Sequence, residues 1–305
     1  MEAQSAIERS EVVRHAVTVR AAVLRWYARC GRDLPWRRTR DPYAILVSEI
    51  MLQQTQVDRV VPRFSAFLAR FPTARALAGT SLGAVLREWS GLGYNRRARN
   101  LWECAKIIAA TPHAMPDDLE TLRSLPGIGR YTAAAVACFA FDRRVAVVDT
   151  NIRRVLGRCV FGEDLSRPTA AWQIAEALLP RRRAAHWHQA LMDIGARHCR
   201  RTPQCTGCPL QAWCAFTRRT GNRRATKPLR AHVAATPFVG SPRYYRGRIV
   251  KALVAQGPMR YAALGEQVKQ RFAESDLPWL TTMLHALARE GLIVVDEAAQ
   301  QARLP

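Results

Sequence analysis

Four cysteines, Cys199, Cys205, Cys208 and Cys214, fall within sixteen residues in the pattern C-x5-C-x2-C-x5-C. Thiols this close form a ligand set, and sulfur ligation admits either zinc or an iron–sulfur cluster; spacing does not choose between them. The other cysteines, Cys30, Cys104, Cys138 and Cys159, are scattered along helical patterns, as buried free thiols are. Glu49 lies among apolar residues in Ser48-Glu49-Ile50-Met51-Leu52. Desolvation there disfavours the charged carboxylate and raises its pKa toward that of a usable general acid, although an exposed Glu at a helix end reads the same way. Gln53, Gln54, Thr55 and Gln56 follow with neutral donors and acceptors suited to base edges or to a strand that has lost a base. Asp149, in Val147-Val148-Asp149-Thr150-Asn151, sits between a short apolar run and a helical pattern, where it can act as a helix N-cap.

Two further stretches carry glycine beside groups that suit a phosphate backbone. Leu125-Pro126-Gly127-Ile128-Gly129-Arg130-Tyr131-Thr132-Ala133 reads as a tight hinge between helices over 118–124 and 131–141. Gly127 and Gly129 permit φ > 0 and close backbone approach, so free N–H groups at the start of the second helix can face an anion such as a DNA phosphate. An ordinary glycine-terminated helix hairpin has the same spacing. Gly91-Leu92-Gly93-Tyr94-Asn95-Arg96-Arg97 combines glycines, an aromatic and arginines. That mixture suits a wedge loop in which Tyr94 enters a base stack while Arg96 holds phosphate; a packed Tyr on a basic helical turn is the plainer alternative. Trp36-Arg37, after Pro35, offers a stacking plate with a cation beside it, or simply a core aromatic.

The chain has 305 residues, with 47 Lys and Arg against 24 Asp and Glu, giving +23 and a pI near 11.0. So strong a basic excess points to a polyanionic partner. The excess is uneven, because Ile194 to Gly265 contains fourteen Lys and Arg and no Asp or Glu. The N-terminus carries Glu2, Glu8, Arg9 and Glu11 in place of an apolar core, and the longest apolar run is Ala133 to Phe141, so a soluble, intracellular, cytoplasmic protein associated with the nucleoid is expected, without a membrane partner.

The elements that must position these groups are helical. Val12, Ala16, Val19 and Val23 mark an apolar face over 11–30, Asp41-Pro42-Tyr43 starts the helix that delivers Glu49, and short helices continue to Trp89. Helices over 170–179 and 186–196 lead into the cysteine loop, with Asp193 a candidate cap or ion pair. A non-periodic basic linker is expected over 216–242. Helices over 243–255, 261–272 and 277–290 and a strand over 291–295 then suggest a small winged-helix-like domain, or else a helical protein-interaction module. The expected division is a domain over 1–215 containing the cysteine loop 199–214, the linker, and a tail domain over 243–305.

In combination, L-P-G-x-G-x-x-T-A followed by V-D-x-N resembles the helix-hairpin-helix DNA glycosylase superfamily, and S-E-x-M-L-Q-Q-T-Q-V resembles its MutY-type adenine DNA glycosylases. The resemblance runs from about Trp26 to Cys214. It implies an all-α, helix-hairpin-helix glycosylase fold with a [4Fe-4S] cluster on Cys199, Cys205, Cys208 and Cys214, although this chain has five residues between the first two cysteines where the family usually has six. It implies a monomer acting on double-stranded DNA with mismatched or oxidised base pairs, excising adenine opposite guanine or 8-oxoguanine. Catalytic roles are implied for Glu49 as proton donor and for Asp149 as ionised stabiliser of the sugar cation, with Asn151 and Tyr131 beside them. Base or strand contacts are implied for Trp36, Arg37, Gln53, Gln54, Thr55, Tyr94, Arg96, Gly127 and Gly129. Asn95 stands where the family usually has a second tyrosine, and Tyr131 stands where bifunctional relatives carry the Schiff-base lysine, so no strong lyase activity is expected. The segment after the cysteine loop is too short for the family's common Nudix-like domain. Rival expectations are a glycosylase taking thymine or uracil opposite guanine, and a non-catalytic metal-containing DNA-binding protein.

Overall fold

The computed structural model describes residues 7–111, 115–165, 168–221 and 237–305. After helical residues 7–9 (α1) come α2 (Glu11–Arg14), α3 (Ala16–Cys30), α4 (Pro42–Leu52), α5 (Val57–Arg70), α6 (Ala74–Ala78), α7 (Leu82–Glu88) and α8 (Arg96–Ala110). The hairpin is α9 (Leu119–Ser124) and α10 (Arg130–Phe139); α11 (Thr150–Phe161), α12 (Pro168–Ala177), α13 (Ala184–Arg197) and α14 (Ala215–Thr220) follow. The C-terminal part runs α15 (Pro242–Gln256), β1 (Met259–Arg260), α16 (Tyr261–Val268), α17 (Leu277–Arg289), β2 (Val294–Asp296) and β3 (Gln301–Arg303). Among the described residues no helix is long and apolar enough to cross a membrane.

The described residues fall into two compact units. One draws on 1–45, 117–122 and 129–233, the other on 46–116, 123–128 and 234–305. In the first, apolar residues at helical spacing build the core: Val19, Val23 and Trp26 of α3, Ile152, Val155 and Leu156 of α11, Ile174 of α12, and Trp187, Leu191 and Ile194 of α13. The expected helix over 11–30 breaks at His15, whose φ of −103° and ψ of 27° leave the helical region between α2 and α3. Residues expected to open the linker instead form α14, because Phe216 is buried in the same core. The central linker residues 222–236 lie outside the described part.

In the second unit Val60, Phe64 and Phe67 of α5, Leu77 of α6, Val85 and Leu86 of α7, Trp89, and Leu101 of α8 are buried, with Phe67 and Trp89 edge to face at 5.9 Å. The C-terminal helices pack against one another, and the strands form an antiparallel sheet in the order β1-β3-β2, with Ala302 paired to both Met259 and Val295. This part is tied to the helices of its own unit: Gly83 N donates to Pro305 O at 3.2 Å, and Arg99 Nη1 to Glu290 O at 2.7 Å.

Helix α4 is apolar almost all round, and residues 43–51 are all buried, as such a helix must be. Its start follows from Asp41, whose carboxylate accepts from Tyr43 N at 3.0 Å, with Pro42 supplying helix-ready φ where no N–H is needed.

Candidate active site and cysteine loop

Glu49 is carried on α4 and is only 4% exposed. The helix ends three residues later, and Gln54 adopts φ of +56°, a left-handed turn that leaves Gln54 exposed and Gln53 and Thr55 half-buried. The last carbonyls of α4 converge on a side chain that sequence alone does not single out. Arg97 Nη1 donates to Ile50 O at 2.9 Å, Met51 O at 2.8 Å and Gln53 O at 2.5 Å. Its Nη2 reaches Thr55 Oγ1 at 3.0 Å, Leu92 O at 3.3 Å and Gly93 O at 3.1 Å. One guanidinium therefore fixes both the polar run after Glu49 and the loop before α8, and its charge lies favourably at a helix C-terminus. Burial pulls Arg97 down to about 10, opposed by neighbouring Tyr94.

The loop that Arg97 anchors presents Tyr94 with φ of +49° and 40% exposure. Arg59 Nη2 and Trp89 Nε1 hold Gly91 O and Gly93 O at 2.5 and 3.1 Å, so the left-handed backbone at Tyr94 is fixed from three sides. Arg96 is exposed beside it.

The hairpin glycines divide their work. Gly127 has φ of +78°, and a Cβ there would lie 2.7 Å from Asn100 Nδ2, so both conformation and packing require glycine. Gly129 has an ordinary φ of −89° as the N-cap of α10, and a Cβ there would meet nothing within 4 Å. The expected positive φ is thus confined to Gly127; Gly129 opens α10 from extended backbone, with no side chain over the helix start.

Asp149 is the N-cap of α11, its Oδ1 accepting from Ile152 N at 2.6 Å. Its Oδ2 accepts from Asn151 Nδ2 at 3.1 Å, Asn151 Oδ1 accepts from Arg154 Nη2 at 2.7 Å, and Arg154 Nε donates to Cys199 O. A continuous chain of hydrogen bonds thus leads from the carboxylate to the first residue of the cysteine loop. Gly195 makes room for it, since a Cβ there would lie 2.6 Å from Asn151 Cβ. Burial raises the Asp149 pKa, against the pull of the Ile152 and Asn151 hydrogen bonds and of Arg154. The segment leading to Asp149 is held by buried His188, whose Nε2 accepts from Val147 N at 3.0 Å while Nδ1 lies 2.8 Å from Ala184 O. Burial lowers His188 to about 4 and keeps it neutral. Tyr131 is half-buried on α10.

Trp36 and Arg37 are placed differently from a surface stacking pair. Trp36 is 8% exposed, and Arg37 is drawn inward by Asp193. Asp193 is fully buried, taking Arg37 Nη1 and Nη2 at 2.8 and 2.9 Å and Arg32 N and Nε at 2.8 and 2.6 Å. Burial alone would raise Asp193, but the Arg37 and Arg32 guanidiniums outweigh it and hold the carboxyl below its usual range.

Cys199, Cys205, Cys208 and Cys214 line one cavity, together with Cys159 from α11. Among the described residues no three His, Cys, Asp or Glu side chains are gathered as the ligands of a single ion. The donor set still fits a sulfur-bound group in kind. Arg158, 1% exposed, points Nη1 at Cys199 Sγ at 3.5 Å and would offset thiolate charge, while Asp164 fixes it through Nε at 2.8 Å. The neighbouring Cys159 thiol pulls Cys214 below the usual thiol range. Nothing in the sequence marked Cys159 apart from the other helical cysteines.

Comparison with known proteins places this arrangement. Residues 47–181, which include the half of α4 that carries Glu49, the hairpin and Asp149, match the model of the HhH-GPD superfamily base excision DNA repair proteins. The adenine DNA glycosylase of Mycobacterium tuberculosis (strain ATCC 25618 / H37Rv) is 45% identical over 267 residues, covering 85% of this chain and 83% of that protein. The chain belongs to the MutY-type glycosylases of the HhH-GPD superfamily. Among solved structures, a thermostable thymine-DNA glycosylase matches with a TM-score of 0.62 at 30% identity, covering 68% of this chain and 98% of that one. A non-covalent endonuclease III–DNA complex matches with a TM-score of 0.60 at 20% identity, over 69% of this chain and 99% of that one, and shares the HhH-GPD fold.

Proposed function

We propose that this protein is a monofunctional DNA glycosylase that removes adenine paired with guanine or 8-oxoguanine in double-stranded DNA. The observation that carries the reading is Glu49, buried on α4 with the polar turn after it fixed by Arg97; the 45% identity to an adenine DNA glycosylase supports the choice of base. A carboxyl group this buried loses hydration on ionising, which favours the proton-bearing form. Protonated Glu49 donates to adenine N7, the bond between C1′ and N9 breaks with its electron pair leaving on the base, and ionised Asp149 stabilises the cationic sugar. Water adds to C1′ and gives up a proton to a carboxylate, so the products are free adenine and an abasic site. The division of labour between the two carboxyl groups parallels glycoside hydrolysis. Asn151 orders Asp149.

Adenine must leave the stack first, at about a few kcal/mol, which a mismatch reduces. Tyr94 fills the gap, Arg96 and the helix start at Gly129 meet phosphates, and Gln53, Gln54 and Thr55 face the extruded nucleotide. Gly127 shapes the hairpin, Trp36 and Arg37 order the turn before α4, and Tyr131 contacts the nucleotide without forming a Schiff base. Cys199, Cys205, Cys208 and Cys214 hold a [4Fe-4S] cluster, which supplies covalent links that fix the loop; base excision itself transfers no electron. The protein works as a monomer inside the cell, and residues 243–305 form a winged-helix module joined to the glycosylase part by the basic linker.

The test is a single-turnover assay on duplexes carrying A:8-oxoguanine, A:G, T:G and U:G, with strand breaks scored with and without alkali. Breaks on the adenine duplexes only after alkali are expected. Cleavage of T:G or U:G instead would move the reaction to pyrimidine mismatches; one structure this chain resembles is that of a thymine-DNA glycosylase. Breaks without alkali would overturn the monofunctional assignment.

A further inference from the structure

The C-terminal part offers two faces, and their chemistry differs. On α17 the exposed residues Thr282, His285 and Arg289 lie near the β2–β3 turn, where His285 Nε2 meets Glu297 Oε1 at 2.5 Å and Asp296 adds a second acid. That face is close to neutral, so it is poorly matched to phosphate.

The face of α15 is aromatic and basic. Arg243 Nη1 donates to Tyr94 Oη at 2.8 Å, and its guanidinium lies 5.4 Å from the Tyr94 ring centre and 5.0 Å from that of Phe238. Phe238 meets Tyr244 edge to face at 5.6 Å, and Arg248 Nη1 donates to Tyr244 Oη at 3.0 Å. Exposure is high where packing would normally bury such groups: Phe238 is 52% exposed and Val239 71%. Lys251 continues the face one turn on, and no Asp or Glu occurs from Ile194 to Gly265. Arg248 Nη2 also donates to Gln267 O at 2.7 Å, which fixes this guanidinium on the face, while Arg246 turns to Glu290 at 2.5 Å.

Guanidiniums alternating with exposed rings suit phosphates and unstacked bases, and side chains already held by mutual contacts lose little freedom on binding. We propose that Phe238, Arg243, Tyr244 and Arg248 extend the Tyr94 loop into a second DNA-binding surface, through which the C-terminal part grips the duplex beside the wedge. The inference rests on the glycosylase reading for the identity of the duplex and of Tyr94 as its wedge. The DNA-contacting element of this C-terminal part is then α15, and α17 with its strands is not.

The test uses the full chain carrying Glu49→Gln and a fluorescent duplex with a central A:8-oxoguanine pair, titrated across a range of salt. Combined Arg243→Glu and Arg248→Glu should weaken binding by about tenfold or more and lower the slope of log Kd against log salt by roughly 2, one phosphate contact for each arginine. Arg289→Glu on α17 should change neither. Should the double charge reversal fail to fold, Arg243→Gln and Arg248→Gln singly should each lower the slope by about 1. Unchanged affinity and slope in the α15 variants, or an equal loss in Arg289→Glu, would overturn the proposal. Excision by the protein without Glu49→Gln is scored separately: adenine released while α15 variants bind normally sinks only this inference, whereas no release with a clear α15 effect sinks only the glycosylase reading.

Discussion

Replacing Arg97 by alanine removes the donor that closes the C-terminus of α4 and holds the loop before α8. Arg97 serves six acceptors. Its terminal nitrogens can form roughly four full charge-assisted hydrogen bonds at about 1.5 kcal/mol each, or about 6 kcal/mol together. Against this stands the cost of burying the charge. A pKa of about 10 in place of 12.5 corresponds to roughly 3 kcal/mol, at about 1.36 kcal/mol for each tenfold change in proton affinity. The net contribution is therefore about 3 kcal/mol, and losing it should lower Tm by roughly 6–12 °C. Thermal unfolding followed by tryptophan fluorescence suits the site, since Arg97 lies 5.4 Å from the Trp89 ring centre. Lysine at this position should recover only part of the loss, because a point charge cannot span acceptors from two segments. Excision measured well below the lowered Tm should still be slow, as the run from Gln53 to Thr55 and the Tyr94 loop lose their common anchor. An unchanged Tm together with a normal excision rate in Arg97→Ala would refute this reasoning.

Other expectations follow from buried groups. His188 has its folded pKa depressed to about 4, so the folded state binds fewer protons than the unfolded one between about pH 6.5 and 4; stability is present above that window and falls through it by about 3 kcal/mol, a loss that His188→Gln should flatten in urea titrations across pH. Asp149 is pushed upward by burial, so its ionised form at neutral pH opposes folding. Asparagine caps helices about as well as aspartate, so Asp149→Asn should keep or raise Tm while slowing excision by roughly a hundredfold or more. The same raised pKa predicts that wild-type excision falls as pH drops through the point where Asp149 takes up a proton, which a pH–rate profile would record. Cys205→Ser should lower the iron content of purified protein, measured by metal analysis, and loosen the loop that receives Arg154 and Arg158; full iron occupancy in that variant would remove Cys205 from the ligand set.

What the sequence made legible was local. The hairpin follows from two glycines within three residues and an acidic start, and Asp118 does open α9, accepting from Thr121 N at 2.8 Å. Apolar runs placed α4 and the helices of the C-terminal part within a few residues of their observed ends. Less legible were charges whose partners lie far along the chain. Arg96, Arg97 and Arg99 look alike in a basic run, yet Arg96 is exposed, Arg97 is buried among carbonyls, and Arg99 reaches Glu290 O. Arg37 reads as a surface cation until Asp193, distant in sequence, appears opposite it. His188 and Cys159 carry no signal at all, because a single polar residue on a helical face has the same periodicity whether it packs idly or orders a neighbouring segment. Asp149 shows the converse: the N-cap that sequence spacing suggests is the geometry that fixes the carboxylate for its proposed role.

The most direct test of the account asks whether Glu49 and adenine N7 act on each other. Single-turnover rates would be measured for adenine and for 7-deazaadenine opposite 8-oxoguanine, with the unaltered protein and with Glu49→Gln. A proton donor in the rate-limiting step contributes roughly a hundred- to ten-thousandfold. Removing either N7 or the carboxyl group should slow excision by that order, and removing both should slow it little further. Rapid release of 7-deazaadenine by the unaltered protein, or full activity in Glu49→Gln, would contradict the central claim.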